Sequence, residues 1–403
     1  MKISVVGAGP AGLYFSILVK KRFPNWTINI VEQNEPDSTF GFGIVLAAAG
    51  LHRLEAADAH THAALVRNMT FTTHQIITLG DAAVPIKRPD GGGGAIARLD
   101  LLNQLQTAAR DAGVNIRFGV RFEDAARLPE VLDADVVVGA DGINSMIRSA
   151  GEAGFGTTHS ALSNHFAWFG VGKAFPTSAL VFREHKGGVF VAHYYPYSKA
   201  NSTFVAECDH ATWQLLGMDA MDAGQRQALF ETVFAPELDG HQLISNNSTW
   251  RQFPVIRNAR SVSGKTVLLG DAETSAHFSI GSGTRIAMDD ALALADALTA
   301  DGDDGSVTPT HRLQKFEKLR GPEKAKLIGA SQKSYMWYED MGRWMRQFSP
   351  LEFIHHYMTR TGRMGNGRLA ASYPELVGQL VRAGVMSEAE AVPAQPRSAG
   401  VAA

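Results

Sequence analysis

Lys2-Ile3-Ser4-Val5-Val6-Gly7-Ala8-Gly9-Pro10-Ala11-Gly12 is an apolar run that passes directly into G-x-G-x-x-G. Residues 2–6 read as a short strand, Gly7 to Gly12 as a loop and residues 11–22 as a helix. Thr27 to Val31 reads as a second strand, ending at Glu32, twenty residues after Gly12. Together they make a βαβ dinucleotide-binding unit. Gly7 permits the tight turn, Gly9 lets a pyrophosphate approach the backbone, and Gly12 allows close helix–strand packing. Pro10 and Ala11 open the helix, whose free N–H groups and partial positive charge suit phosphates. Glu32, with Gln33 beside it, is placed to accept hydrogen bonds from a ribose.

Two further segments narrow the ligand. Gly139-Ala140-Asp141-Gly142-Ile143-Asn144-Ser145-Met146-Ile147-Arg148 follows an apolar strand at 135–138 and fits D-G-x-x-S-x-x-R. Asp141, Asn144 and Arg148 are its candidate cofactor contacts, and a strand-end turn with a capping Ser is the alternative. The stretch Gly270 to Thr284 follows the apolar run Lys265 to Leu269 and leads into the alanine-rich amphipathic run Ile286 to Thr299. It reads as strand, acidic turn, Gly-rich loop, helix. Asp271 is placed to accept hydrogen bonds from ribitol hydroxyls. Ile280, Gly281, Ser282, Gly283 and Thr284 form a loop whose glycines suit close backbone approach to a ring. Arg98 opens R-x-x-x-L-x-x-L and is a further cofactor candidate, or else a surface helix arginine. Three such elements point to a flavin-dinucleotide enzyme rather than a generic nucleotide binder.

Composition excludes several classes. The 403 residues are 45% hydrophobic and 19% charged, with a formal net charge of −2. These values describe an ordinary globular protein of one large or two intermediate domains, with no global attraction to nucleic acid or acidic membrane. Cys208 is the only cysteine. It excludes an internal disulfide and a thiol-rich metal site, and it fits a reducing cytosol. No basic leader and no uninterrupted apolar run of about 18 residues occurs, so a cytoplasmic, membrane-free protein is expected. The His60/His62 and His355/His356 pairs lack the carboxylate and spacing context of a metal site, and no metal is expected.

Along the chain, residues 50–67 read as helical and 69–90 as weakly alternating strands. Gly91-Gly92-Gly93-Gly94 marks a flexible return, residues 98–112 an amphipathic helix, and 114–122 and 135–138 strands. From about 160 to 260, short alternating apolar and aromatic runs suggest an antiparallel sheet, interrupted by a helix near 222–235. Helices follow from 284 to roughly 380, and the tail from Ala389 is expected to be disordered. The domain expectation is an α/β fold. The FAD-binding domain is drawn from residues 1–70, 96–160 and 261–310. The β-sheet substrate domain is drawn from 71–95 and 161–260, followed by a helical region at 311–385 and a tail at 386–403.

These motifs, in this order and spacing, give the chain a specific resemblance. To about residue 375 it resembles the single-component, group A FAD-dependent aromatic hydroxylases of the p-hydroxybenzoate hydroxylase type. Phe40-Gly41-Phe42-Gly43-Ile44-Val45, Ser202-Thr203-Phe204-Val205-Ala206-Glu207-Cys208 and His277 through Thr284 look like one branch of that family. The branch contains salicylyl-CoA 5-hydroxylase, anthraniloyl-CoA monooxygenase/reductase and the tryptophan hydroxylases of violacein biosynthesis. The resemblance implies a Rossmann-like FAD-binding domain of the glutathione-reductase type with an inserted antiparallel substrate sheet and C-terminal helices. Gly43, Ile44 and Val45 join the cofactor candidates on this basis. The chain departs from the general family at Thr274, Ser279 and Arg285, where His, Pro and Asn are frequent. It ends where the anthraniloyl-CoA enzyme continues into a reductase half, so ring reduction is not expected.

The resemblance further implies a monooxygenase in which NADH or NADPH, visiting transiently, reduces FAD. O2 then forms a C4a-hydroperoxyflavin, which hydroxylates an aromatic ring. His277 and Phe278, just before the Gly-rich loop, are the candidate catalytic residues. The alternative for His277 is a histidine satisfied inside a packed turn. His193, Tyr195 and Trp168 are the candidate substrate contacts, against plain sheet packing as the alternative. The branch favours an aryl-CoA thioester such as salicylyl-CoA, with tryptophan or another indole or aromatic acid as the runner-up. A redox-silent FAD-binding protein, a flavin halogenase and a two-component oxygenase are the rival classes, and the absence of W-x-W-x-I-P argues against the halogenase. Residues 312–368 hold twelve Lys or Arg against five Asp or Glu. Lys318, Arg320, Lys324 and Lys326 are therefore candidates for CoA phosphates, or else a solvated helix face. A homodimer is the assembly the family suggests.

Overall fold

The computed structural model describes residues 1–38, 41–88, 92–121, 129–281, 283–300 and 307–394. Phe40, Gly91, Ser282 and the end of the tail lie outside the described residues. The chain divides into two compact units. The first comprises residues 1–70, 94–162 and 252–328, and the second comprises 71–93, 163–251 and 329–403.

The first unit is built on a six-stranded sheet in the order Val262–Ser263, Thr266–Leu268, Val136–Gly139, Lys2–Val6, Thr27–Val31, Asn115–Arg117. Lys2–Val6 lies parallel to both Thr27–Val31 and Val136–Gly139, and Thr266–Leu268 runs parallel to Val136–Gly139. A strand buried on both faces reads as a near-continuous apolar run, and Ile3, Val5 and Val6 supply it around a buried Ser4. Helix Pro10–Arg22 makes the crossover and buries Ala11 through Val19, with Lys20, Lys21 and Arg22 in its last turn favouring the negative helix end. Helices Arg98–Asp111 and Gly283–Thr299 pack against it.

Two helices, Ala48–Ala57 and Ala59–Val66, occupy the stretch expected to be one. Asp58 breaks it: its Oδ1 accepts from the Thr61 N–H at 3.2 Å, and its Oδ2 from the Thr61 hydroxyl at 2.7 Å and the Lys21 ammonium at 2.5 Å. A residue committed to capping the next helix leaves the previous one.

The second unit carries a seven-strand path. Its order is Leu243–Ile244, Thr157–Val171, Ser202–Cys208, Gly188–Pro196, Ser178–His185, His74–Leu79, Ala82–Lys87. One pair departs from the expected antiparallel pattern, since Ser178–His185 runs parallel to His74–Leu79. The chain between those two strands passes through the other unit, and a long crossover permits a parallel pair where a hairpin does not. One face packs Ala167, Phe169, Phe190, Ala192, Phe204 and Ala206 against helix Ala223–Val233 and its neighbours. The opposite face packs Leu180, Phe182, Val189 and Val191 against Trp337, Tyr338, Phe353 and Tyr357.

The helical stretch expected as one region is divided between the units at Ile328, within helix Pro309–Glu339. Leu313 and Phe316 join the first core, while Trp337 and Tyr338 join the second. The described part of the tail, to residue 394, is turn and loop held by hydrogen bonds. Glu390 accepts from the N–H and hydroxyl of Ser387 at 2.9 and 2.7 Å, and the Ala394 N–H donates to the Gly367 carbonyl at 2.8 Å. No helix among the described residues is long and apolar enough to cross a membrane.

Candidate functional site

Parallel strands end on the same edge of their sheet, so four motif segments meet at its carboxyl edge. Gly7 follows Val6, Glu32 follows Val31, Asp141 lies two residues beyond Gly139, and Asp271 lies three beyond Leu268. Separation along the chain therefore becomes proximity in the first unit.

The three glycines of the first loop differ in what they face. A Cβ on Gly7, which has φ +104°, would lie 2.3 Å from the Ala140 carbonyl oxygen. A Cβ on Gly12 would lie 2.2 Å from the Gly7 oxygen. Both are glycines because protein backbone occupies the space. A Cβ on Gly9 would meet only the Ala140 oxygen, at 3.9 Å, so that side of the loop is open. Gly9 is also the N-cap of helix Pro10–Arg22, with no side-chain cap and no acidic residue in the first turn. An open glycine at an uncapped helix N-terminus is a fitting cradle for a dinucleotide pyrophosphate. The Glu32 carboxylate stands beside it, accepting from the Ala8 N–H at 2.7 Å and from the Asn34 backbone and side-chain amides at 2.9 and 2.7 Å.

The D-G-x-x-S-x-x-R segment is used as an internal bracket. Asp141 accepts from the Ser145 hydroxyl at 2.5 Å and from the N–H groups of Met146 and Ile147 at 2.7 and 3.2 Å. Burial raises its carboxyl above the ordinary value, against the pull of those hydrogen bonds. The buried Arg148 donates to the Ile143 carbonyl at 2.7 Å and the Ala272 carbonyl at 2.8 Å, tying this turn to the Gly270–Ala272 turn. Asn144 is exposed.

Asp271 is reached by solvent, while the crowding of protein around it raises its carboxyl above the ordinary value; Arg98 and Lys324 pull the other way. Arg98 opens its helix with its N–H on the Phe42 carbonyl at 2.7 Å. Gly43–Leu46 pairs antiparallel with Gly94–Ala97, which places Ile44 opposite Ile96 and Val45 opposite Ala95. Gly281, at φ +55°, has no protein atom where a Cβ would reach, and Gly283 begins helix Gly283–Thr299.

His277 is turned inward and is 3% exposed. Its Nδ1 accepts from the Ser279 N–H at 3.2 Å, and its ring stacks on Phe278 at 4.1 Å and meets Phe253 edge-on at 4.6 Å. This geometry supports a residue that shapes the Gly-rich loop more than one that meets substrate.

In the second unit the register sorts the aromatic candidates. His193 lies opposite Val205 and Trp168 opposite the same Val205, so Trp168 and His193 share a face; Tyr195, two residues on, shares it too. Tyr194 and Phe169 point to the other face, where Tyr194 packs on Phe175 at 4.1 Å. On the shared face stands Glu207, which the sequence reading quoted without assigning a role. It is 1% exposed, and its Oε2 lies 3.4 Å from His193 Nε2. A lone carboxylate in the otherwise uncharged strand Ser202–Cys208 was the available signal, since Glu is almost never fully buried without a partner.

The basic helix patch needs correction. Arg320 and Lys324 are buried rather than presented to solvent. Arg320 Nε donates to Asp290 Oδ1 at 2.8 Å, and Lys324 Nζ donates to Asp290 Oδ2 at 2.5 Å and to Glu273 Oε2. Their charges are spent inside the fold, leaving Lys318 and Lys326 as the exposed pair. Burial pulls Lys324 down to about 7 and pushes Asp290 up to about 6, the direction in which loss of water drives a buried charge. The cluster braces the Gly-Asp turn, because Asp290 also accepts from the Gly270 N–H.

Known proteins resemble the chain along most of its length. It is 37% identical to a salicyloyl-CoA 5-hydroxylase of Streptomyces, over 92% of this chain and 71% of that protein. It is 33% identical to the protodeoxyviolaceinate monooxygenase of Chromobacterium violaceum, over 89% of this chain and 94% of that one. It is 35% identical to the 3-hydroxy-4-methyl-anthranilyl-[aryl-carrier protein] 5-monooxygenase of Streptosporangium sibiricum, over 74% and 80% respectively. Among solved structures, 2-methyl-3-hydroxypyridine-5-carboxylic acid oxygenase matches with a TM-score of 0.69 at 18% identity, covering 88% of this chain and 96% of that one. No family model matches.

Proposed function

The chain belongs to the FAD-dependent aromatic hydroxylases of the p-hydroxybenzoate hydroxylase type, and we propose that it hydroxylates an aryl group carried as a thioester, with salicyloyl-CoA the leading candidate. It is a monooxygenase whose substrates are a small aromatic compound and O2. The observation that carries the thioester reading is that two of the three relatives named above bear a carrier-linked aryl group in their names: salicyloyl on CoA, and anthranilyl on an aryl-carrier protein. The protodeoxyviolaceinate relative favours a second reading, an indole-type aromatic acid.

Bound FAD supplies the redox chemistry that activates O2, and the chain binds, orients and excludes water. In this reading Gly7, Gly9, Pro10, Ala11 and Gly12 cradle the pyrophosphate, and Glu32 and Gln33 the ribose. Asp271 takes ribitol hydroxyls, with Arg98 near it, while Gly43, Ile44 and Val45 line the cofactor. Asp141, Asn144 and Arg148 hold the adjoining turn. The N–H groups of Ile280, Gly281, Gly283 and Thr284, at a helix start, suit negative charge on the reduced ring. His277 and Phe278 shape that loop. Trp168, His193 and Tyr195 offer the sheet face that receives the aromatic ring. NADH or NADPH is the proposed reductant, a homodimer the proposed assembly and the cytoplasm the proposed compartment.

The test is stopped-flow reduction of the yellow protein by NADH with and without salicyloyl-CoA, free salicylate, anthranilate and tryptophan, with products weighed. Stimulation by salicyloyl-CoA and a product heavier by one oxygen supports the thioester reading. Stimulation by tryptophan or a free acid alone replaces it with the second.

A further inference from the structure

Glu207 is a carboxylate taken out of water with few partners. Its Oε1 accepts from Asn164 Nδ2 at 3.1 Å, and the same amide donates to the Tyr338 carbonyl at 2.9 Å. Its Oε2 faces His193 Nε2 at 3.4 Å. Among the described residues no Lys or Arg is paired with it. A buried carboxylate held by one neutral amide is costly unless a proton donor completes it; the imidazole is the nearest such group, its Nε2 at 3.4 Å from Oε2 and not turned into hydrogen-bond geometry with it.

The imidazole is itself held. Its ring stacks on Tyr338 at 5.2 Å with 27° between planes. The Arg360 guanidinium lies 5.9 Å over that tyrosine ring and 3.8 Å over Tyr357. Tyr338 is buried, which pushes its hydroxyl well above the ordinary range and keeps it neutral. Glu339 secures the edge, accepting from the Ser163 N–H and hydroxyl at 2.7 and 2.6 Å and from the Asn164 N–H at 3.1 Å. Among the described residues, groups near His193 that carry or change charge include Glu207 on the neighbouring strand, Tyr338 on the covering helix, and Tyr357 and Arg360 behind it. The His193 side chain is 12% exposed, on the face that carries Trp168 and Tyr195.

We propose that Glu207 and His193 form a proton-accepting dyad for the ring hydroxyl of the aromatic substrate, with Glu207 as the positioning residue and His193 as the base. This rests on the hydroxylase reading above. In this proposal the Nε2–H turns onto Glu207, which fixes the tautomer and assigns the Nδ1 lone pair to the substrate proton. In the step, the substrate O–H bond breaks and an Nδ1–H bond forms. The electron pair stays on oxygen and enters the ring, enriching the carbon that takes up the new oxygen. The imidazolium that results is stabilised by the carboxylate already at its other nitrogen, as in other histidine–carboxylate pairs.

The experiment compares FAD-loaded wild type with Glu207→Gln, Glu207→Asp and His193→Gln. One readout is single-turnover hydroxylation of salicyloyl-CoA from pH 5.5 to 8.5. The base works neutral, so the rate rises as pH rises through the imidazole value. A carboxylate beside an imidazole favours its charged form, so in a working dyad its loss is expected to move the rise to lower pH and lower the plateau. The expected result for E207Q is a plateau at least tenfold lower with the rise displaced to lower pH. E207D should restore part of both, and H193Q should lose the rise. A lowered plateau with an unmoved rise in E207Q, or H193Q hydroxylating with a wild-type profile, overturns the proposal. If wild type fails on every aromatic in the panel, the thioester reading falls, and the dyad is judged by histidine NMR titration instead. There E207Q must lower the His193 value, and an unchanged titration overturns the dyad.

Discussion

Replacing glycines 7 and 9 by alanine, one at a time, separates folding from cofactor binding within three residues of chain. At Gly7 the added methyl would sit 2.3 Å from the Ala140 oxygen and 2.6 Å from its carbon, at a φ of +104° that L-residues avoid. The neighbours are backbone, held by the Gly7 N–H on the Val31 carbonyl at 2.8 Å and the Ala140 N–H on the Val6 carbonyl at 2.8 Å. The strands must part or the turn must rebuild, a backbone clash and strain worth about 3 kcal/mol. At Gly9, φ −76° and ψ 178° suit alanine, and the nearest protein atom to its methyl is 3.9 Å away. The apoprotein should lose only the preference for glycine over alanine at an N-cap, about 0.5–1 kcal/mol. The same methyl stands where a pyrophosphate must approach, so FAD affinity should fall at least tenfold, about 1.4 kcal/mol. Urea unfolding of the apoproteins and FAD titration by flavin fluorescence measure the two effects. Wild-type FAD affinity in G9A, or equal loss of apoprotein stability in G7A and G9A, would refute the assignment of the open side to the cofactor.

Lys324→Met leaves Glu273 and Asp290 buried without their shared ammonium, and unfolding free energy should fall by about 3–5 kcal/mol. Lys318→Met, on the exposed side of the same helix, should leave the urea midpoint unchanged. Equal effects would dissolve the distinction between buried brace and solvated face. At Asp58, burial pushes the carboxyl up, but Lys21 and the two Thr61 hydrogen bonds outweigh it and hold the value below the ordinary one. A depressed carboxyl stabilises the fold above the unfolded value, near pH 4, and that contribution is lost as pH falls through the folded value. Asp58→Asn should therefore lower the urea midpoint at pH 7, with the gap to wild type narrowing below about pH 4. A gap that stayed constant down to pH 3 would show that the charge is not what stabilises.

The sequence by itself determined the first βαβ unit to within a residue or two, because its signals are local, whereas the strand expected at 114–122 is only Asn115–Arg117. A strand buried on both faces is almost wholly apolar, and a turn with φ above zero favours glycine. A helix N-terminus that faces phosphate must be uncapped and free of acid. Lys2–Val6, Pro10–Arg22 and Thr27–Val31 follow from those rules without knowledge of the rest of the chain. The break at Asp58 was less legible, because a capping aspartate and a mid-helix aspartate look alike until Lys21, distant in sequence, is seen to hold one of them.

What only the tertiary structure decided concerns side chains whose partners lie far along the chain. Arg320 and Lys324 read as a basic helix face, yet Asp290 and Glu273 neutralise them from elements 30 to 51 residues away. By sequence, His277 is a catalytic candidate and His193 a substrate contact weighed against plain sheet packing. Backbone capping turned the first inward, and strand register set the second beside Glu207 and on one face with Trp168. Period-two alternation reports that neighbours in sequence face opposite ways; it does not report which face meets which partner. That is settled by register and long-range packing, and so the surroundings of the proposed substrate contacts, unlike the nucleotide-binding fingerprint, are a property of the folded chain.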